Sequence, residues 1–194
     1  MGAPVSSVRI DYPPWVASFV DWEARHHGDE ERMRLAVALA RENVLRDAGG
    51  PFGAVIFERD SGRLVSVGVN SVLRLNNSTL HAEMMAFAMA QARLGTYTLA
   101  AEGLPEHELF TSCEPCAMCL GGALWSGVCR LVFGALGEDV RRLGFEEGPV
   151  FPESHAYLEA RGVGIVPGVC RDEAKEVLEL YRQRGGEVYN GRCR

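Results

Sequence analysis

The sequence predicts an α/β domain in three layers, α/β/α, around a central mixed sheet of about five strands. Three observations carry this reading. Short apolar runs alternate along the chain with longer stretches of helical period. The run Pro51-Phe52-Gly53-Ala54-Val55-Ile56-Phe57 is almost wholly apolar, as a strand covered on both faces must be. Asp60-Ser61-Gly62 marks a hairpin, so the first two strands run antiparallel, whereas the later strands are linked by helices and can run parallel.

The elements follow in order. Residues 1–10 read as a loose start. Pro13-Pro14 can open a helix at Trp15, with Trp15, Phe19 and Trp22 on one side, and His26-His27-Gly28 ends it. Asp29 is placed to cap a second helix over 30–47, where Met33, Ala36, Val37, Ala40 and Val44 keep helical spacing and Ala48-Gly49-Gly50 stops it. The strand at 51–57 turns back through Arg63 to Asn70, and a loop runs to Leu80. A helix from His81 to about Leu94 stops at Gly95, and its Met84, Met85, Phe87 and Ala88 read as core. A short strand spans 107–111, a helix 116–126, and a strand 128–133. Residues 137–143 are polar, and 144–148 form a loop. A short strand over 162–166 and a last helix, capped by Asp172 and ending near Arg184, complete the pattern. No repeat or linker breaks the chain, so 1–194 reads as a single domain, with 1–28 as a helical N-terminal extension and 185–194 as a C-terminal tail.

Composition narrows the class. The chain has 194 residues, enough for one full core. No stretch has the length or apolarity of a membrane span, and the first residues do not form a secretory signal. Six cysteines without a regular framework suit a reducing cytoplasm. The formal net charge is −6, Lys175 is the only lysine, and the arginines are interleaved with acids. A protein gripping a long nucleic acid carries a basic footprint, so a small-molecule substrate is favoured.

The chemistry is concentrated in His81-Ala82-Glu83 and Pro115-Cys116-Ala117-Met118-Cys119. One imidazole and two thiolates make three protein ligands for one Zn2+ per chain and leave a fourth position for water. Cys116 and Cys119, three apart, share a helix face, and Pro115 suits a first turn. A helix N-terminus favours the thiolate, which is the ligating form. His81 and Glu83, two apart, would diverge in mid-helix, so both can serve one metal only from a first turn, which Ser78 and Thr79 are placed to cap. Glu83 is then the base for the water. The pattern H-x-E…P-C-x-x-C is a signature of zinc-dependent nucleobase deaminases. Cys113 could instead close a structural site as fourth ligand, and a lone C-x-x-C also occurs in redox proteins. Neither alternative uses Glu83 or Pro115.

With these motifs the chain resembles the cytidine deaminase-like zinc hydrolases, and among them the small bacterial guanine deaminases. The matching runs are Gly50 to Ile56, His81-Ala82-Glu83, Thr111 to Gly121, and Gly144-Phe145-Glu146-Glu147. The resemblance implies hydrolysis of guanine to xanthine and ammonia. It implies zinc on His81, Cys116 and Cys119, proton transfer by Glu83, and Cys113 as a cysteine outside the ligand set. It implies that Asn70 hydrogen-bonds the base and that Glu147 contacts the base and aids proton transfer. This chain has Glu where relatives carry Asp in that loop, so either Glu146 or Glu147 can reach. Tyr189 matches an aromatic that closes the pocket from the tail, its own or a neighbour's. Phe52 and Trp125 are candidates for stacking near the base, or for the core. A homodimer is implied. Ammeline, cytosine and the adenosine of a tRNA are the rival substrates, and a non-catalytic zinc module is the rival of another class.

Overall fold

The computed structural model describes residues 5–191. In chain order the elements are α1 (Val16–Phe19), α2 (Gly28–Leu45), β1 (Gly53–Glu58), β2 (Leu64–Val69), α3 (Val72–Leu75), α4 (Ala82–Leu94), β3 (His107–Cys113), α5 (Ala117–Ser126), β4 (Arg130–Ala135), α6 (Gly137–Arg141), α7 (Pro152–Glu159), β5 (Gly164–Val166) and α8 (Arg171–Gln183). The five strands form one sheet in the order β2-β1-β3-β4-β5. β1 is antiparallel to both β2 and β3, while β3, β4 and β5 run parallel. The expected mixed sheet is therefore present.

Strand alternation divides the core between the two faces. Val55 and Phe57 of β1, with Phe110 of β3 and Val132 of β4, pack on the α2 and α8 side. Ala54, Ile56, Leu109, Leu131 and Phe133 pack on the side of α4, α5 and α7. Buried strands with no polar face explain why these segments read as continuous apolar runs. Close approach also matters: a methyl at Gly68 of β2 would collide with the carbonyl oxygen of Ala82, so this glycine lets the start of α4 settle onto the sheet.

Several local expectations give way to tertiary contacts. The Trp15 helix is only the four residues of α1, because the backbone is already extended at Val20. From there the chain runs on to a lone antiparallel bridge between Arg25 and Arg63. Trp22 is thus outside the helix; it meets Tyr12 at 6.1 Å, while Trp15 and Phe19 pair edge-on at 5.6 Å. Asp29 does not cap α2. His27 holds that position, and Asp29 is drawn to Arg130 at 2.7 Å. Arg130 also bonds Glu108, 3.0 Å away, a carboxylate buried on β3 and paired with Arg32 of α2. Asp172 lies in the first turn of α8 rather than at its cap, which is Cys170. The expected loop from Asn70 to Leu80 contains α3, which Arg74 ties to Asp11 of the N-terminal segment at 2.9 Å.

Candidate active site

Two helix N-termini meet where the start of β1 lies beside the carboxyl end of β3, and each begins on a predicted ligand. His81 is the N-cap of α4 and Cys116 the N-cap of α5, both with extended backbone. An N-cap residue is not yet wound into the helix, so its side chain can turn across the helix end toward residue N3. For α5 that residue is Cys119. Ser78 and Thr79 therefore do not cap α4. Thr79 instead donates from both its backbone N–H and its hydroxyl to the Oδ1 of Asn77, at 3.0 and 2.7 Å.

The His81 Nδ1 lies 3.5 Å from the Cys116 Sγ and 3.7 Å from the Cys119 Sγ. All three ligand atoms fall within 4.8 Å of one another, and among the described residues no other His, Cys, Asp or Glu group does so with three members. Zinc bonds of about 2.3 Å to sulfur and 2.0–2.1 Å to nitrogen place S and N about 3.6 Å apart on a tetrahedral ion. The donors present thus fit zinc in type and in spacing. The hydrogen bond from Cys119, with the His81 ring, pushes the Cys116 thiol down to about 4. The same bond and burial push Cys119 up. Cys113 lies in the cavity wall, buried, but outside the three-donor group.

Glu83 follows in the first turn of α4 and is 7% exposed. Its Oε1 accepts a hydrogen bond of 3.2 Å from the Thr111 hydroxyl on β3. Burial raises its pKa above the usual carboxylate range, and the neighbouring Cys116 adds to that.

These groups form one wall of a cavity of about 300 Å3, a size suited to a small molecule. Facing them are Glu146, Glu147, Phe145, Phe52 and the tail residues Tyr189 and Asn190. The facing wall is pinned at three points. The N–H of Ala117 donates to the Glu147 carbonyl at 2.9 Å, fastening the loop to the start of α5. Asn190 spans the loop and the tail: its Oδ1 accepts from the Glu146 N–H at 2.9 Å and its Nδ2 donates to the Gly144 carbonyl at 2.8 Å. Phe145 packs edge-on against both Phe52 and Tyr189, with ring centres 5.2 and 5.3 Å apart.

The two loop acids separate cleanly. Glu146 is exposed, whereas Glu147 is half-buried, and burial with the Cys116 and Glu83 charges pushes its pKa up to about 8. Tyr189 comes from this chain's own tail. Its buried hydroxyl lies against Gly50, where any side chain would strike it, and beside the Asn70 amide. Asn70, 1% exposed, has an Nδ2 without a partner among the described residues, and its carbonyl accepts from the buried Asn43 at 3.0 Å. Trp125 is a correction. It is 80% exposed on the outer side of α5 and borders a different cleft with Val128, Tyr157 and Arg161, because α5 turns its small residues and leucines inward. Phe145, Val72, Ser78 and Asn190 line the cavity without having been singled out. Phe145 sat inside a quoted motif; the other three carry no local signal.

The comparisons with known proteins decide the family. The model of the cytidine and deoxycytidylate deaminase zinc-binding region matches residues 26–135. This chain belongs to that family. It is 37% identical over 134 residues to a guanine deaminase of Bacillus subtilis, covering 69% of this chain and 81% of the relative. The solved structure of a guanine deaminase from Nitrosomonas europaea is 41% identical, with a TM-score of 0.88, over 94% of this chain and all of the other. The structure of NE0047 with 2,6-diaminopurine is 43% identical, with a TM-score of 0.89, over 96% and 98% of the two chains. As a member of this deaminase family the chain is a zinc-binding hydrolytic enzyme.

Proposed function

We propose that this protein hydrolyses guanine to xanthine and ammonia. The observation that carries the reading is one cavity lined by a three-donor zinc cluster, Glu83 and Glu147. The likeness to guanine deaminases over nearly the whole chain supports the choice of base.

In this reading His81, Cys116 and Cys119 hold the zinc. When bound, it supplies a Lewis acid that brings a water's ionisation near neutral pH. Glu83, buried beside the cluster, takes the proton of the attacking water and passes it to a guanine ring nitrogen, which activates C2. The raised affinity of Glu83 for a proton suits a group that must hold and release one within each turnover. Glu147 faces it across the cavity and helps deliver protons to the departing amino group. Tyr189 in the cavity lining and the buried Asn70 amide beside it offer polar groups unpartnered among the described residues, and Phe52 with Phe145 offers aromatic surface for the purine. Glu146 keeps a place at the rim, its backbone held by the tail.

The reading takes the chain as one deaminase domain whose tail closes its own site, and places it in purine breakdown in the cytoplasm. Five described cysteines are all free, which supports a reducing compartment. Among the described residues no helix is long and apolar enough to cross a membrane. A homodimer is also proposed, through the outer side of α5 and α7. Trp125, Leu124 and Tyr157 leave a large apolar patch there, of the kind that marks an interface. A monomer by light scattering would remove that part.

The deciding experiment is ammonia release from zinc-loaded protein given guanine, adenine, cytosine, cytidine, guanosine and ammeline. Guanine is expected to turn over fastest, with xanthine as product. Turnover of another base without guanine would keep the proton chemistry and overturn the substrate. A zinc-loaded protein inactive on every base would overturn both.

A further inference from the structure

A proton carrier works only if its carboxylate stays at one spot while its charge changes. Glu83 is a poor candidate for that on its own. Its side chain has three rotatable bonds, and burial favours whichever rotamer finds a partner. Among the described residues, one side-chain hydroxyl bonds its carboxylate: Thr111 Oγ1, 3.2 Å from Oε1.

Thr111 is held by the sheet. It lies on the central strand β3, opposite Ala54 of β1 and Phe133 of β4, and is 1% exposed. The strand that carries it is thus paired on both sides. Being β-branched, Thr111 has a stiff χ1, so the hydroxyl position follows from the strand. The sheet in this way fixes one carboxylate oxygen of Glu83. The hydroxyl also matches both states of the acid: it donates to the carboxylate and, by rotating, accepts from the protonated form. A methyl in its place can do neither.

We propose that Thr111 is a positioning residue for the reaction, holding the Glu83 carboxylate by one oxygen. The inference rests on Glu83 being the proton carrier. Thr111 belongs neither to the cavity lining nor to the three-donor group, so its loss is expected to act on the chemical step.

The test is steady-state turnover of guanine by zinc-loaded Thr111→Val, which keeps the shape and removes the hydroxyl, with Thr111→Ser as the rescue and Glu83→Ala as the control. The expected result for Thr111→Val is a fall in kcat of about 10- to 100-fold, as for a slightly misplaced catalytic group. KM should stay within about twofold, and zinc content should be unchanged. Thr111→Ser should recover kcat to within about threefold of wild type. Wild-type kcat in Thr111→Val, or equal losses in both Thr111 variants, would overturn the role. Loss of zinc or a matching rise in KM in Thr111→Val would overturn it too, since the hydroxyl would then serve the fold or the binding site. Glu83→Ala separates the two readings: an active Glu83→Ala refutes the proton carrier itself, whereas an inactive one beside a fully active Thr111→Val refutes only the positioning.

Discussion

The two walls of the cavity are built by opposite means. The wall with His81, Glu83, Cys116 and Cys119 stands on two helix starts that rest on buried strands. The facing wall, with Phe145, Glu147, Tyr189 and Asn190, is a loop and a tail held by a few hydrogen bonds and ring contacts. In the proposed reaction the first wall carries the groups that must stay fixed, three metal donors and a proton carrier, and the second the groups that receive the base. Helix starts on buried strands thus hold the chemistry in that reading, and a loop and a tail hold the recognition.

The comparison can be broken most sharply on the rigid side. Cys119→Ala is expected to lose zinc and with it all guanine turnover, because two donors do not hold the ion. Full zinc content by elemental analysis in this variant would sink the ligand assignment.

On the loop side the effects should be graded. Glu147→Gln is expected to lower kcat about 100-fold, the size of a lost acid–base group. Glu146→Gln should stay within a few-fold, since its side chain is exposed. Equal effects from the two would show that burial does not select the acid.

Gly50→Ala tests the tail with less force. The added methyl must displace the Tyr189 hydroxyl, so KM for guanine should rise about tenfold, roughly 1.4 kcal/mol of binding, with zinc content unchanged. An unaltered KM would mean that Tyr189 contributes nothing to closing the site.

The smallest effect concerns the tie between α6 and α8. Asp139 of α6 is held below its usual pKa chiefly by the hydrogen bond from Arg171 of α8, at 2.8 Å. A depressed folded value means the contribution is complete above the unfolded pKa of about 3.9 and is lost as pH falls through the folded value. Arg171→Ala should therefore be less stable than wild type in urea at pH 6, and the gap should narrow at pH 3. A gap of the same size at both values would exclude this ion pair as its source.

How much could be read in advance follows the same division. His81, Glu83, Cys116 and Cys119 were legible because a metal site at two helix starts demands fixed residue types at fixed spacing. The sheet was legible in strands such as β1 that are buried on both faces and almost wholly apolar, less so in β3, which buries Glu108 and Thr111. The short α1, the displaced caps at Asp29 and Asp172, and the outward Trp125 were not, since no fixed spacing marks them. Asp29 illustrates the reason: a local cap competes with Arg130, about a hundred residues away, and the ion pair wins.

By itself the sequence determined the fold class, the zinc donors and the carboxylate beside them, because these rest on local period and spacing. Tertiary structure alone decided which loop acid lies inside, that the tail enters its own chain's cavity, and that Thr111 reaches Glu83. Those outcomes depend on burial and on contacts between segments 28 to 139 residues apart in the chain, where no local pattern carries the information.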